Sequence, residues 1–460
     1  MSLRATGAAP RGAIPVLVDA AARGWLEARD RSVAGPELGA EVQAILTEVR
    51  EGGDAALLAT AARYEGGPPA ALRVPGGRCR EALAALPSGL RDALERAAHN
   101  VRRFHAAQRR EEPEVEVMPG IRAWREFRPI ERVGIYAPGG RAAYPSSVLM
   151  AAVPARLAGC REIVVACPAA PGGWPPEPVL AAAALVEAEE VWAVGGAQAI
   201  AALAWGTETL RPVDKIFGPG GPWVNAAKLA AFGTVAVDLP AGPSEVVVWA
   251  DAGAAPAWIA AELVAQAEHG PDSLSVAVLS DPAAAPAELA SLAASTAKAT
   301  AEALADLAGG PTADAARASL AASAVLVAGS EEEGAAWVNR LAGEHLAILR
   351  RDPRADLARV DHAGSVFLGP WAPVAAGDYA SGTNHVLPTG RRARAASGLG
   401  LDDFGRWVQV QEIDREGLAA LGPSIVALAE WEGLPAHAAS VRARNAASVR
   451  ARDAAVGREP

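Results

Sequence analysis

The sequence predicts an α/β fold: two doubly wound, incomplete Rossmann-like domains followed by a helical C-terminal tail. Three observations predict it. Short apolar strands alternate with helical segments from about residue 130 to 239. The same alternation resumes from about 244 to 368 and then stops over roughly the last sixty residues. Apolar residues make up 51% of the 460-residue chain and charged residues 21%, enough to build more than one core.

Each element follows from local pattern. Residues 1–30 read as loosely ordered. Residues 36–110 place apolar side chains three and four apart, with Gly52-Gly53 and Gly76-Gly77 as breaks, and read as helices. Residues 133–137 form a short buried strand, and Pro145 opens a helix over 146–157. Strands at 162–167, 190–194, 215–217 and 235–239 then alternate with helices at 178–188, 197–204 and 223–231. The second series runs strand 244–250, helix 256–268, strand 274–279, an alanine-rich helix over about 284–307 and strand 324–327. Helix 331–342 and strands 346–349 and 365–368 complete it. Helices at about 402–412, 415–430 and 435–450 close the chain. They are too few to bury a core alone, so they are expected to pack on another domain or subunit. The expected division is an N-terminal arm (1–30), a discontinuous α/β domain (31–132 and 245–395), an inserted α/β domain (133–244) and a tail (396–460).

Composition excludes several functions. The net charge is −10 with the acidic groups scattered, and the one basic run, Arg391-Arg392-Ala393-Arg394, is short and lacks interleaved aromatics. It reads as a solvated loop, and no nucleic-acid partner is expected. Lysine occurs only at 215, 228 and 298, a compositional bias. Three cysteines, Cys79, Cys160 and Cys167, form no CxxC, so a reducing compartment and small buried thiols are expected. No apolar run approaches the ~20 residues of a membrane span. The apolar patch at 13–18 is broken by Pro15, which argues against a secretory leader and for a cytoplasmic protein.

Three glycine-rich turns each follow a strand and precede a helix: Ala137-Pro-Gly-Gly-Arg141, Val194-Gly-Gly-Ala-Gln198 and Gly218-Pro-Gly-Gly-Pro222. None is GxGxxG with an acidic residue about twenty positions on. Each alone is consistent with a plain tight turn. Three at one edge of a sheet suggest a cleft for an anionic or dinucleotide ligand.

Four of the seven histidines sit in polar, glycine-bounded signatures. These are Gln266-Ala-Glu-His269-Gly-Pro-Asp-Ser273, Gly343-Glu344-His345-Leu346, Gly377-Asp378-Tyr-Ala-Ser-Gly-Thr-Asn-His385 and Glu432-Gly-Leu-Pro-Ala-His437. Burying such groups unpaired costs about 2–7 kcal/mol each. Gln266 and His269, three apart at a helix end, share a face; either alone would serve as a packing or capping group. With Asp378 and His437 they make a mixed N and O donor set that leaves positions open for substrate. That set suits zinc first, with manganese and cobalt as alternatives. Glu344 and His345 can act as a water-activating carboxylate and a proton acceptor, or only as a helix-end cap. His385 has loop neighbours that can fix its tautomer. His99, His105 and His362 carry no signature and read as surface or core residues.

Together these segments resemble histidinol dehydrogenase over about residues 30–445. The resemblance adds Val133-Gly-Ile-Tyr-Ala-Pro-Gly-Gly140, Tyr144-Pro-Ser-Ser-Val-Leu-Met150, Val194-Gly-Gly-Ala-Gln-Ala-Ile-Ala-Ala-Leu203, Val213-Asp-Lys-Ile-Phe-Gly-Pro-Gly220 and Ala241-Gly-Pro-Ser-Glu245 to the signatures above. It implies oxidation of L-histidinol to L-histidine in two NAD-dependent steps through an enzyme-held aldehyde. It implies zinc ligands at Gln266, His269, Asp378 and His437, with zinc holding the substrate's imidazole and amine. It implies His345 as general base and Glu344 as activator of water. It further implies substrate contacts at Ser244, His385 and Glu432, the substrate also meeting the metal and acid–base residues. NAD contacts fall at Tyr136, Gln198 and Gly221 of an inserted nucleotide-binding domain. The resemblance also implies a homodimer whose C-terminal tail places Glu432 and His437 in the partner's site. At 221 the family usually carries Asn, whose side-chain contact toward NAD this glycine lacks. Residues 403–411 also depart from the family pattern, with a bulky Trp407.

Three other functions bear weighing. A related NAD-dependent dehydrogenase of another small polar alcohol would keep the chemistry and change the substrate, as Gly221 and residues 403–411 suggest. Retention of Ser244, His385 and Glu432 favours histidinol. A metal-dependent hydrolase would bind no nucleotide. A non-catalytic relic is disfavoured by the joint survival of Glu344, His345 and four ligand positions.

Overall fold

A computed structural model describes residues 14–28, 36–139, 143–239, 242–307 and 309–456. In chain order its strands are β1 (Val16–Val18), β2 (Val115–Met118), β3 (Ile121–Pro129), β4 (Arg132–Tyr136), β5 (Glu162–Cys167), β6 (Glu190–Ala193) and β7 (Lys215–Phe217). There follow β8 (Ala236–Val237), β9 (Glu245–Ala250), β10 (Leu274–Leu279), β11 (Ala324–Val327), β12 (His345–Leu349), β13 (Ser365–Leu368) and β14 (Gly405–Ile413). The chain divides into two compact units, one ending at Gln108 and resuming over Ile130–Phe404, the other made of Arg109–Pro129 and Gly405 onward.

The first unit holds two parallel sheets, ordered β6-β5-β4-β7-β8 and β1-β11-β10-β9-β12-β13. Each is wound both ways from its earliest central strand. From β4 the chain steps out to β5 and β6, then returns to β7 and β8; from β9 it steps to β10 and β11, then returns to β12 and β13. β1 extends the outer edge beside β11. Helices link the parallel strands and bury both sheet faces, which is why the strands read as continuous apolar runs. The two-residue period still sorts them. Ile163, Val165 and Cys167 join the core on one face of β5, and Val164 and Ala166 the core on the other. Likewise Val246, Val248 and Ala250 of β9 face one core, and Val247 and Trp249 the other. The α/β class with two doubly wound sheets is therefore as expected. All three cysteines are buried free thiols. Among the described residues no helix is long and apolar enough to cross a membrane.

Three local expectations are corrected. Residues 16–27, read as loosely ordered, form β1 and the helix Asp19–Glu27, because β1 finds a parallel partner in β11 about three hundred residues later. Residues 311–322, not read as an element, form the helix Pro311–Ala322 with Leu320 in the core. Residues 402–412, read as a helix, are a short 3-10 turn (Leu401–Phe404) and the strand β14.

In the second unit β14 runs antiparallel to β3, from Gly405 opposite Pro129 to Ile413 opposite Ile121, with β2 on the other edge. Trp407 lies edge-on to Phe127, ring centroids 5.5 Å apart, with the Arg110 and Arg125 guanidinium groups over its ring. Its bulk is thus absorbed by the sheet. Asp414 caps the helix Arg415–Trp431 by accepting from the Gly417 N–H at 2.8 Å. After a turn at Gly433, whose φ is +75°, the chain enters the helix Pro435–Val456.

Candidate active site

β9 and β12 lie side by side, with His345 level with Val246. Glu245 and Glu344 therefore stand together where the two strands begin, at the amino edge of the six-stranded sheet. The Glu245 N–H donates to Glu344 Oε2 at 3.0 Å, and the Ser244 hydroxyl donates to the same oxygen. The Glu245 carbonyl accepts from His345 Nδ1 at 3.1 Å. A carbonyl has no proton to give, so Nδ1 carries one in either protonation state, and Nε2 is the nitrogen that gains or loses the second proton. Nε2 lies 3.5 Å from Asp378 Oδ1.

The electrostatics follow from burial against charge. Glu344 and His345 are buried. Burial pushes the Glu344 carboxyl up, against the pull of His345 and the Ser244 hydrogen bond. Burial disfavours a charged His345, but the Glu344 and Asp378 charges outweigh it and raise its pKa to about 9. Glu245 is raised to about 7 by burial and by the Glu344 charge. Burial alone would raise Asp378, yet His345, His385 and His269 around it hold its carboxyl below the usual value.

Asp378 sits in the short helix Val374–Tyr379, whose first N–H, at Val374, donates to Glu262 Oε2 at 3.1 Å. Glu262 thereby caps the turn that presents Asp378. His385 Nδ1 donates to the Asp378 carbonyl at 2.9 Å, and burial lowers its pKa, leaving a neutral ring with Nε2 open. The loop is pinned by Asn384, which donates to the Met150 carbonyl at 2.7 Å and lies 3.3 Å from His105 Nε2. Gln266 ends the helix Pro256–Ala267 with its side chain buried and its Nε2 without a hydrogen-bond partner. His269 follows on the surface, its N–H donating to the Gln266 carbonyl at 3.2 Å.

Among the described residues, no three His, Cys, Asp or Glu side chains are grouped to hold a metal by themselves. In the first unit the candidate donors are the His269 imidazole, the Asp378 carboxylate and the Gln266 amide oxygen. The buried Gln266 amide has an unpartnered NH2, and turned about its last bond it would present its oxygen there instead. With the His269 imidazole and the Asp378 carboxylate this gives the donor types of an open site for a cation that takes mixed N and O ligands. Glu432 and His437 belong to the second unit, Glu432 at the end of the helix Arg415–Trp431 and His437 in the first turn of the next; both are exposed.

Tyr136 ends β4, and Gln198 and Gly221 lie past the carboxyl ends of β6 and β7, the opposite kind of edge. The Gly196 N–H donates to the Tyr136 hydroxyl at 3.2 Å. Gln198 donates to Glu65 Oε1 at 2.7 Å. Gly221 caps the helix Pro222–Ala231 with an ordinary φ of −65°. Residues 140–142, in the turn after β4, lie outside the described residues. Only residues 238–244 separate the end of β8 from the start of β9, so the chain passes directly from one edge to the other.

Comparison with known proteins decides the family. The histidinol dehydrogenase family model matches residues 29–445. It belongs to the histidinol dehydrogenase family. The histidinol dehydrogenase of Halobacterium salinarum is 47% identical over 426 residues, covering 91% of this chain and 97% of the relative. That of Vibrio parahaemolyticus is 43% identical over 415 residues, covering 89% and 92%. The crystal structure of histidinol dehydrogenase from Elizabethkingia anophelis superposes with a TM-score of 0.87 at 36% identity, covering 94% of this chain and 98% of that one. The chain is an oxidoreductase of the histidinol dehydrogenase type.

Sequence reasoning missed three residues that this histidinol dehydrogenase fold puts against the candidates. Glu245 touches both Glu344 and His345, Glu262 caps the Asp378 turn, and Glu65 holds Gln198. Glu245 was in view, in the Ala241-Gly-Pro-Ser-Glu245 motif. Glu65 lies unmarked inside the stretch read as helical, 36–110.

Proposed function

We propose that this chain oxidises L-histidinol to L-histidine through the bound aldehyde, using two NAD in succession, as a zinc-containing cytoplasmic homodimer. The observation that carries the reading is the Glu245 peptide, which orients Glu344 and His345 together. With Nδ1 committed to that carbonyl, Nε2 of the neutral His345 ring takes the hydroxyl proton as a hydride leaves the carbon. Against burial, the Glu344 and Asp378 charges raise the ring's pKa to about 9, so the neutral form is a strong base and turnover should climb as pH rises toward that value. Both hydrogen bonds to Glu344 fall on Oε2, leaving Oε1 to take a proton from water as that water adds to the aldehyde. Once His345 has released its first proton to solvent, a second hydride leaves the hydrated carbon while Nε2 receives the hydroxyl proton. The two oxidations consume one water and yield the carboxylate. Burial keeps bulk water away from the aldehyde between steps.

Tyr136, Gln198 and Gly221 would hold NAD, which supplies the hydride acceptor. Gln266, His269, Asp378 and His437 would hold zinc, which when bound supplies a fixed positive charge that grips the substrate's imidazole and amine. Ser244, His385 and Glu432 would contact substrate, with His385 Nε2 left open by its bond to Asp378. In this reading residues 133–244 form the nucleotide-binding domain, 31–132 with 245–395 carry the acid–base set, 1–30 are an arm and 396–460 the dimerisation tail. Exposure of Leu428, Trp431 and Leu434 around Glu432 supports a tail that packs on a partner and places Glu432 and His437 in its site.

The test is NADH formed per histidinol consumed, with metal content measured alongside. Two equivalents, loss of activity on chelation and recovery with zinc are expected. One equivalent, or full activity in protein stripped of metal, would overturn the reading.

A further inference from the structure

The five-stranded sheet has the winding of a dinucleotide fold, but β5, the strand after its first glycine turn, ends on Cys167, with Pro168 next, and carries no acid at its carboxyl end. The structure supplies a carboxylate from elsewhere. Glu65 follows the helix Pro36–Tyr64 and precedes Gly66 and Gly67, whose φ values of +82° and +152° let the chain turn there. Its Oε1 accepts from the Gly195 N–H at 3.0 Å and from Gln198 Nε2 at 2.7 Å, and the Ala169 N–H also bonds the carboxylate. Ala169 lies two residues past the end of β5, and Gly195 two past the end of β6. Those strands stand next to β4 and beyond it. That is where an acid at the end of the second strand meets the adenosine ribose in a dinucleotide fold.

We propose that Glu65 is a specificity-determining residue for the nucleotide, receiving the adenosine ribose hydroxyls of NAD and turning away the extra phosphate of NADP. The proposal rests on the NAD-dependent reading given above. Two features carry it. The carboxylate takes the Gly195 N–H at the cap of the helix Gly196–Trp205 and the Tyr136 hydroxyl takes the Gly196 N–H, so a negative charge already stands at that helix opening, which disfavours a phosphate and suits a hydroxyl donor. Three of its roughly four acceptor directions are used, leaving one on a half-buried group. The same carboxylate fixes Gln198, and the neighbouring Gly196 N–H fixes the Tyr136 hydroxyl. Two of the three residues implied to touch NAD are thus held in one cluster with Glu65.

The experiment compares the full chain with Glu65→Gln, which keeps the shape and removes the charge. Steady-state kcat and KM are measured for NAD and NADP at saturating histidinol, together with the KM for histidinol. A rise in the KM for NAD of at least five-fold and a rise in the NADP-to-NAD ratio of kcat/KM of at least ten-fold are expected, with the KM for histidinol within two-fold. NAD turnover with an unchanged ratio in the variant overturns the proposal alone. A wild-type chain that oxidises histidinol with neither nucleotide overturns the parent reading and this one with it. If Glu65→Gln does not fold, Glu65→Asp retains the charge on a shorter arm. It should weaken NAD while still rejecting NADP, and loss of that rejection overturns the assignment.

Discussion

The Glu245 carbonyl accepts the Nδ1 proton of His345 across 3.1 Å, from the neighbouring strand of the same sheet. Because the bond is to main chain, no side-chain change at 245 removes it. It commits Nδ1 and leaves Nε2 as the ring nitrogen on the Asp378 side. Replacing His345 with Ala should lower kcat about 10²–10⁴-fold with little change in the KM for histidinol. Normal turnover would remove the base assignment. Glu344→Gln should slow oxidation of added histidinaldehyde more than formation of the first NADH, read in a single turnover. Equal slowing would argue against a role in activating water.

Glu245 links pH to stability. Burial and Glu344 raise its folded pKa to about 7, above the ordinary value of 4.5. A raised carboxyl stabilises the fold fully below the unfolded pKa, and that stabilisation is lost as pH rises through about 7. Glu245→Gln should therefore flatten the fall in melting temperature between pH 4.5 and 7. Parallel melting curves for variant and wild type across that range would contradict this.

Gly218 closes the turn after β7 with φ at +112°, and a Cβ there would run into the Tyr136 carbonyl oxygen. Gly218→Ala combines left-handed strain with a backbone clash at the point where the sheet's winding reverses. A loss of about 1–3 kcal/mol in stability and a higher KM for NAD are expected, by denaturant unfolding and kinetics.

Gly221 is the contrary case. Its φ is ordinary and nothing stands within 4 Å of an added Cβ. Gly221→Asn should leave stability within a few tenths of a kcal/mol and lower the KM for NAD. An unchanged or higher KM would show that no contact to the nucleotide is missing there.

Lys228 and Asp238 form an ion pair whose side chains are 3% exposed, and both reach Gly218: Asp238 accepts its N–H at 2.7 Å, and Lys228 donates to its carbonyl at 3.0 Å. Lys228→Met strands the carboxylate and should cost about 3–5 kcal/mol by denaturant unfolding. The double variant Lys228→Met/Asp238→Asn should recover part of that loss.

Much of the architecture was local and so legible. Strands such as 162–167 and 274–279 are apolar along their length because both faces are covered, and their helices carry the spacing that covers them. The paired Glu344-His345 and the spacing of Gln266 to His269 also lie within single segments. What the sequence alone could not decide was long-range. β14 reads as a helix until β3, some 280 residues earlier, supplies its hydrogen bonds, and β1 is a strand only beside β11. Glu262 and Glu65 carry no signature in the chain, and Glu245 shows only as the last residue of the Ala241–Glu245 motif. Sheet order and helix docking give them their partners, because a carboxylate's work depends on which N–H groups and imidazoles lie within about 3 Å, and those come from distant segments.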